Sequence, residues 1–124
     1  MPNLVTGAVL GAVVALMAAV PNDSETSLRL SVTHAGGSAS STRAVTLRCG
    51  PDGGEHPQAA RACLELSGSG GRFEHAPDGR MCTDVHSPVV ARAEGRRHGK
   101  PARFRAEYGN DCVMRARTGT VFAF

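Results

Sequence analysis

Residues Pro88–Tyr108 read PVVARAEGRRHGKPARFRAEY, and their alternation decides the fold. In the second half, Ala102, Phe104, Ala106 and Tyr108 are the apolar members of an every-other-residue pattern, with Arg103, Arg105 and Glu107 between them. Successive side chains of a strand point to opposite faces, so this period puts the apolar groups on one face and the charges on the other. Pro88–Glu94 reads as a partner strand and Gly95–Pro101 as the turn between them. Together they form an antiparallel hairpin with a longish loop.

Working outward toward the N-terminus, Met81–Pro88 has no helical period and lies between Gly79 and Pro88, so it reads as an extended, exposed loop. Ser67–Gly79 is rich in glycine and polar residues and reads as a long irregular connection. Before it, Pro57 opens a helix, and Ala59, Ala62, Cys63 and Leu66 fall on one apolar face, with Gly68 as its stop. Gly50–Gly54 is a turn cluster, Val45–Cys49 a strand, Ala35–Ser41 a loop, and Leu28–His34 another alternating strand. Toward the C-terminus, Asn110 caps a short helix through Arg115, and Thr120–Phe124 reads as a final strand. Five strands with antiparallel connections and two helices make an α+β fold, one sheet covered by helices in a single small domain.

Length and composition fit that domain: 124 residues, four cysteines, 15 glycines, no tryptophan and a formal charge of +3. Such a domain buries only a modest core, so cross-links contribute a meaningful share of its stability. The apolar, uncharged run Leu4–Val20 reads as a secretory signal peptide, with residues 1–26 removed and 27–124 forming the mature domain. No Lys or Arg precedes the run, so either the signal is atypical or a basic segment lies upstream. A retained membrane anchor is the competing reading, disfavoured by the run's length. Export makes Cys49, Cys63, Cys82 and Cys112 two disulfides, for which the sequence alone permits three pairings. Cys63, on its helix face, can bridge back to Cys49 at the end of the preceding strand.

The ordered set Arg43–Cys49, His56-Pro57 leading to Ala62-Cys63, Met81-Cys82-Thr83, Pro88-Val89-Val90, Asn110-Asp111-Cys112 and Val121–Phe124 resembles the Streptomyces subtilisin inhibitor family. The match runs from about Leu28 to Phe124. The resemblance implies a five-stranded antiparallel sheet with two α-helices and sequential disulfides, Cys49–Cys63 and Cys82–Cys112. It also implies a homodimer packed through sheet faces, and a secreted, extracellular inhibitor that is not an enzyme. Its target would be a secreted serine endopeptidase, engaged by substrate-like insertion of a rigid loop. Carried onto this chain, the reactive bond is Asp84-Val85, the protease-binding loop comprises Met81, Cys82, Thr83, Asp84, Val85, His86 and Ser87, and Asn110 braces the loop from beneath. For Asn110 the competing structural role is a helix cap.

Asp84 departs from the family pattern, which favours Lys, Arg, Met or similar residues at the target-choosing position. A carboxylate suits neither an apolar subtilisin-like pocket nor a trypsin-like pocket that already holds an acid. The expected target is therefore a subtilisin-like enzyme bound weakly or an acidic-residue-preferring, glutamyl-type protease. A non-inhibitory secreted binding module on the same scaffold is the alternative. No cofactor or metal is expected: the five histidines show no H-E-x-x-H spacing and the cysteines no C-x-x-C pair. A G-x-S-x-G motif is also missing. Nucleic acid is not an expected partner, because Arg92, Arg96, Arg97, His98, Lys100, Arg103 and Arg105 lack interleaved aromatics and read as a solvated hairpin face. Once the signal is removed, nothing is expected to bind a membrane.

Overall fold

The computed structural model describes residues 7, 11–13, 25–36 and 39–124. The predicted signal segment therefore lies almost wholly outside the described residues. Strands β1 (Thr26–Gly36), β2 (Ala39–Cys49), β3 (Gly53–Gly54), β4 (Val89–Arg97) and β5 (Lys100–Tyr108) form one antiparallel sheet in the order β3-β2-β1-β4-β5. Helices α1 (Ala59–Gly68) and α2 (Asp111–Thr118) cover one face.

The alternation read from the sequence sets which face is covered. Leu28, Leu30 and Val32 of β1, Leu47 of β2, and Val89, Ala91 and Ala93 of β4 are all buried. They pack with Ala62, Cys63 and Leu66 of α1, Met114 of α2, and the aromatics Phe73 and Phe122. Phe104 joins these rings, its centroid 5.3 Å from Phe73 and 5.8 Å from Phe122. On the opposite face the intervening residues of the four long strands stand uncovered, among them Arg29, Ser31, Thr46, Arg48, Arg92, Glu94, Arg103 and Arg105.

Several predicted boundaries change. The β4–β5 turn is not the long Gly95–Pro101 loop: both strands run on until Arg97 pairs with Lys100. His98 (φ 51) and Gly99 (φ 75) make the turn alone. Two successive positive φ values match the right-handed strand twist, which is why two residues suffice. Gly95 lies inside β4 instead, where a Cβ would come within 2.1 Å of the Ser27 carbonyl oxygen. At the other end of the sheet, the predicted Ala35–Ser41 loop is partly strand, since Ala35 pairs with Ser40 and Gly36 with Ala39. Register propagating from the apolar pairs carries these weak strand formers along. Helix α1 starts at Ala59, after Gln58 as N-cap, and α2 runs on to Thr118, past the expected end at Arg115.

The predicted C-terminal strand Thr120–Phe124 is absent: the segment is a turn and carries no ladder bonds. Its apolar character is nevertheless used, with Phe122 and Val121 fully buried beneath the sheet. Side chains take up its backbone groups in place of a neighbouring strand. Glu65 accepts from the Thr120 N–H at 2.8 Å, and His56 Nε2 donates toward the Thr120 and Val121 carbonyls at 3.1 and 3.0 Å. His56 Nδ1 accepts from the Gln58 N–H at 2.9 Å, so the buried ring is the Nε2–H tautomer with both nitrogens satisfied. The fifth strand is instead the two-residue β3, within the predicted turn cluster at Gly50–Gly54.

Candidate functional site

Residues 81–88 form neither helix nor strand and lie outside any ladder, and every side chain from Thr83 to Ser87 is exposed. Met81 is 96% exposed and Val85 63%, so two large apolar groups face solvent on a segment with nothing to cover them. Chain in this state normally samples many conformations. Here it is held at both ends and in the middle.

At the N-terminal end, Cys82 is bonded to Cys112 in the first turn of α2, with Cα atoms 5.6 Å apart. The second bridge, Cys49–Cys63, joins β2 to α1, so the sequential pairing implied by the resemblance is present. Upstream of Cys82, Asp78 N–H donates to the Ala116 carbonyl at 3.0 Å and Arg80 folds back onto the Asp78 carboxylate. The hydrogen-bonded Arg80 guanidinium holds that carboxyl below its usual range. At the C-terminal end, Ser87 N–H donates to Gly109 O at 2.8 Å, and Pro88 O accepts from Ala35 N–H at 3.2 Å.

Asn110 supplies the middle support. Its Nδ2 donates to Thr83 O at 3.0 Å and to Val85 O at 2.9 Å, the two carbonyls that flank Asp84. Its Oδ1 accepts from Val113 N–H at 2.9 Å, capping α2. The brace and the cap are thus one side chain, using both amide protons and the carbonyl oxygen at once. Asp111 follows in the first helical turn, where its charge complements the helix dipole, and both its oxygens lie 3.0 Å from His34 Nε2. That contact pins the helix start to the end of β1.

Asp84 itself is exposed, and among the described residues no hydrogen bond or ion pair holds its carboxylate. His86 is likewise exposed and unattached. The sequence-predicted residues Met81 to Ser87, Cys112 and Asn110 therefore come together in one place, while Cys49 and Cys63 sit apart as a structural link. Among the described residues the one grouping of potential metal donors is Cys49, Asp52 and Cys63, and both of its sulfurs are spent in the disulfide.

Sequence reasoning missed the supports that act over long separations. The His34–Asp111 pair spans 77 positions, and the Ser87–Gly109 and Ala35–Pro88 contacts are backbone bonds with no side-chain signature. Beneath the loop's approach, Glu74 Oε1 lies 3.0 Å from Arg117 Nε, an ion contact joining the irregular connection to α2. Glu74 and Arg117 lie on distant stretches of the chain, so no local spacing signals the pair.

Comparison with known proteins bears on what such a loop does. A family model described as subtilisin inhibitor-like matches residues 24–110. A trypsin inhibitor of Streptomyces longisporus is 38% identical over 97% of this chain and 88% of its own length. Subtilisin inhibitor-like protein 4 of Streptomyces lavendulae is 41% identical over 78% of this chain and 88% of its own. Among solved structures, Streptomyces caespitosus sermetstatin, crystallised in complex with Bacillus licheniformis subtilisin, superposes with a TM-score of 0.66 at 29% identity, covering 81% of this chain and 99% of that one.

Proposed function

The chain belongs to the subtilisin inhibitor-like family and is not an enzyme, and from that premise we propose that it is a secreted inhibitor of serine endopeptidases whose reactive bond is Asp84-Val85. The observation that carries this reading is the brace: Asn110 holds the carbonyls on either side of Asp84. Extended chain enters a protease cleft by strand addition, and its affinity depends on how much ordering entropy has already been lost. Fixing backbone costs roughly 1–2 kcal/mol per residue. A loop ordered during folding carries that cost before the enzyme arrives. If the bond is cut, the Cys82–Cys112 bridge and the Asn110 brace hold the new termini in register. The leaving group then stays beside the acyl-enzyme, and resealing competes with release.

Asp84 sets the partner. Burying its carboxylate unpaired in an apolar pocket costs about 3 kcal/mol, roughly a hundredfold in affinity. A protease with a cationic or donor-lined pocket, such as a glutamyl-type enzyme, instead gains a partnered carboxylate. The proposed order of inhibition is glutamyl-type first, subtilisin-like weaker, trypsin-like weakest. Inhibition constants against the three, with mass spectrometry for a single cut after Asp84, test it. A tight complex with none and no selective cut would favour the second reading, a non-inhibitory binding module, which the atypical Asp84 motivates.

Two companion proposals complete the reading. Thr26 is buried and pairs with both Cys49 and Arg97, so signal removal should fall before Thr26, a slightly earlier boundary than the sequence suggested. Among the described residues no helix is long and apolar enough to cross a membrane. The homodimer implied by the resemblance would pack two uncovered sheet faces together. Both carry many arginines, so the association should be weak at low salt and strengthen as salt rises. Sedimentation velocity at both ionic strengths checks this.

A further inference from the structure

Groups that oxidants attack are nearly missing from the surface of this chain. Cysteine thiolates are the usual first target, and none is free, because all four cysteines are bridged. There is no tryptophan, and the one tyrosine, Tyr108, is buried. Of the four methionines, Met1 and Met17 fall in the proposed signal segment. The other two lie at opposite extremes. Met114 is 1% exposed and packed in the core, whereas Met81 is 96% exposed, beside the bridged Cys82. Among the described residues, readily oxidised sulfur at the surface is therefore one thioether, and it stands three residues before Asp84.

The backbone at Met81 is held while its side chain is open. Cys82–Cys112 anchors the next residue, and the Asp78–Arg80 ion pair with the Asp78 N–H bond to Ala116 O steadies the approach. An apolar group kept in water on a held segment is covered only by whatever binds there. A flexible, polarisable thioether suits such a contact.

We propose that Met81 is a reversible oxidation site, and that hydroperoxides acting there weaken the loop's grip on its protease. This rests on the reading of residues 81–87 as the protease-binding loop. The sulfur lone pair attacks the terminal oxygen of the hydroperoxide, and an S–O bond forms as the O–O bond breaks. The proton on the transferred oxygen passes to the departing alkoxide or hydroxide, giving alcohol or water. Sulfur loses two electrons and the peroxide gains two. The sulfoxide is polar and chiral where the thioether was apolar. In the free chain its oxygen is hydrated and costs the fold little, because the side chain is almost wholly in water. Against an enzyme surface the same oxygen is an acceptor stripped of water and left unpaired.

The test treats the purified chain with hydrogen peroxide, removes the excess with catalase, and places each added oxygen by peptide mass spectrometry. Thermal midpoint and inhibition constants against subtilisin and a glutamyl-type protease are measured before and after. Met81 should gain one oxygen well before Met114, and the midpoint should not move. Inhibition should weaken about ten- to a hundredfold, the effect of one buried unpaired acceptor. The two methionine sulfoxide reductases, one for each epimer, should restore it. Met81→Leu should inhibit equally with and without peroxide treatment, while Met114→Leu, a swap that cores tolerate, should keep the full peroxide effect. Oxidation of Met114 as fast as Met81, unchanged inhibition by the Met81 sulfoxide, or a loss that persists in Met81→Leu would each overturn the proposal and leave the loop reading standing. A chain that inhibits neither protease before oxidation would instead remove the loop reading, and the proposal with it.

Discussion

Replacing Asn110 separates two roles that the structure gives to one side chain. In Asn110→Asp, one oxygen still accepts from Val113 N–H, so the α2 cap survives and gains from the helix dipole. The amide protons that reach Thr83 O and Val85 O are lost, and an acceptor now faces two carbonyl acceptors. Two neutral hydrogen bonds contribute about 1 kcal/mol each, so the loop loses about 2 kcal/mol of ordering, roughly thirty-fold in the inhibition constant. Asn110→Ala loses the cap as well, a further 1 kcal/mol or so of folding stability. The assay pairs urea unfolding with inhibition constants and the rate of cutting after Asp84. Asp should lower stability less than Ala, yet weaken inhibition and speed cleavage at least as much. If Asp retains wild-type inhibition while Ala loses it, Asn110 acts as a cap alone and the brace argument is refuted.

Other outcomes follow from the same structure. Asp84→Lys should create trypsin inhibition by a hundredfold or more without altering stability; absence of any gain, measured by competitive kinetics, would remove the reactive bond from this position. Replacing Cys82 and Cys112 together by serine opens a link across 30 positions and should cost about 3–4 kcal/mol in urea unfolding, with the loop then cut at several sites. Phe122→Ala should cost about 3–5 kcal/mol, a full core penalty from a residue two positions before the last in the sequence given. Burial, with the Glu74 carboxylate nearby, pushes the Tyr108 phenol up to about 12. The neutral phenol is favoured by the fold, so this contribution is present below pH 10 and is lost as pH rises through about 12. Tyr108 is the one tyrosine, so phenolate absorbance reports it directly, and a midpoint near 10 would contradict the assignment.

Much of this was legible in the sequence where side chains carry the signal. The Ala102–Tyr108 alternation survives as the observed β5 burial pattern, and the α1 face lies where Ala62, Cys63 and Leu66 were expected. Cys82, Asn110 and Cys112 were named from a resemblance, and the structure brings them together around residues 81–87. What escaped was decided by backbone. Apolar Val121-Phe122 has the composition of a strand, but its hydrogen bonds are taken by Glu65 and His56, more than fifty positions away. Nothing in Gly53-Gly54 marks a strand, because β3 exists only as two pairings with β2. Likewise His98-Gly99 is a legible turn only once the twist of its neighbours is known.

Among the described residues no hydrogen bond or ion pair holds the Asp84 carboxylate, while the carbonyls beside it are gripped by Asn110. Shape is therefore written in main-chain oxygens, and the proposed identity in an exposed group that no hydrogen bond ties to them. A lineage can rewrite the second without disturbing the first. Under the proposed function, a new target protease would come within reach through one codon, with no change needed in the brace that holds the loop.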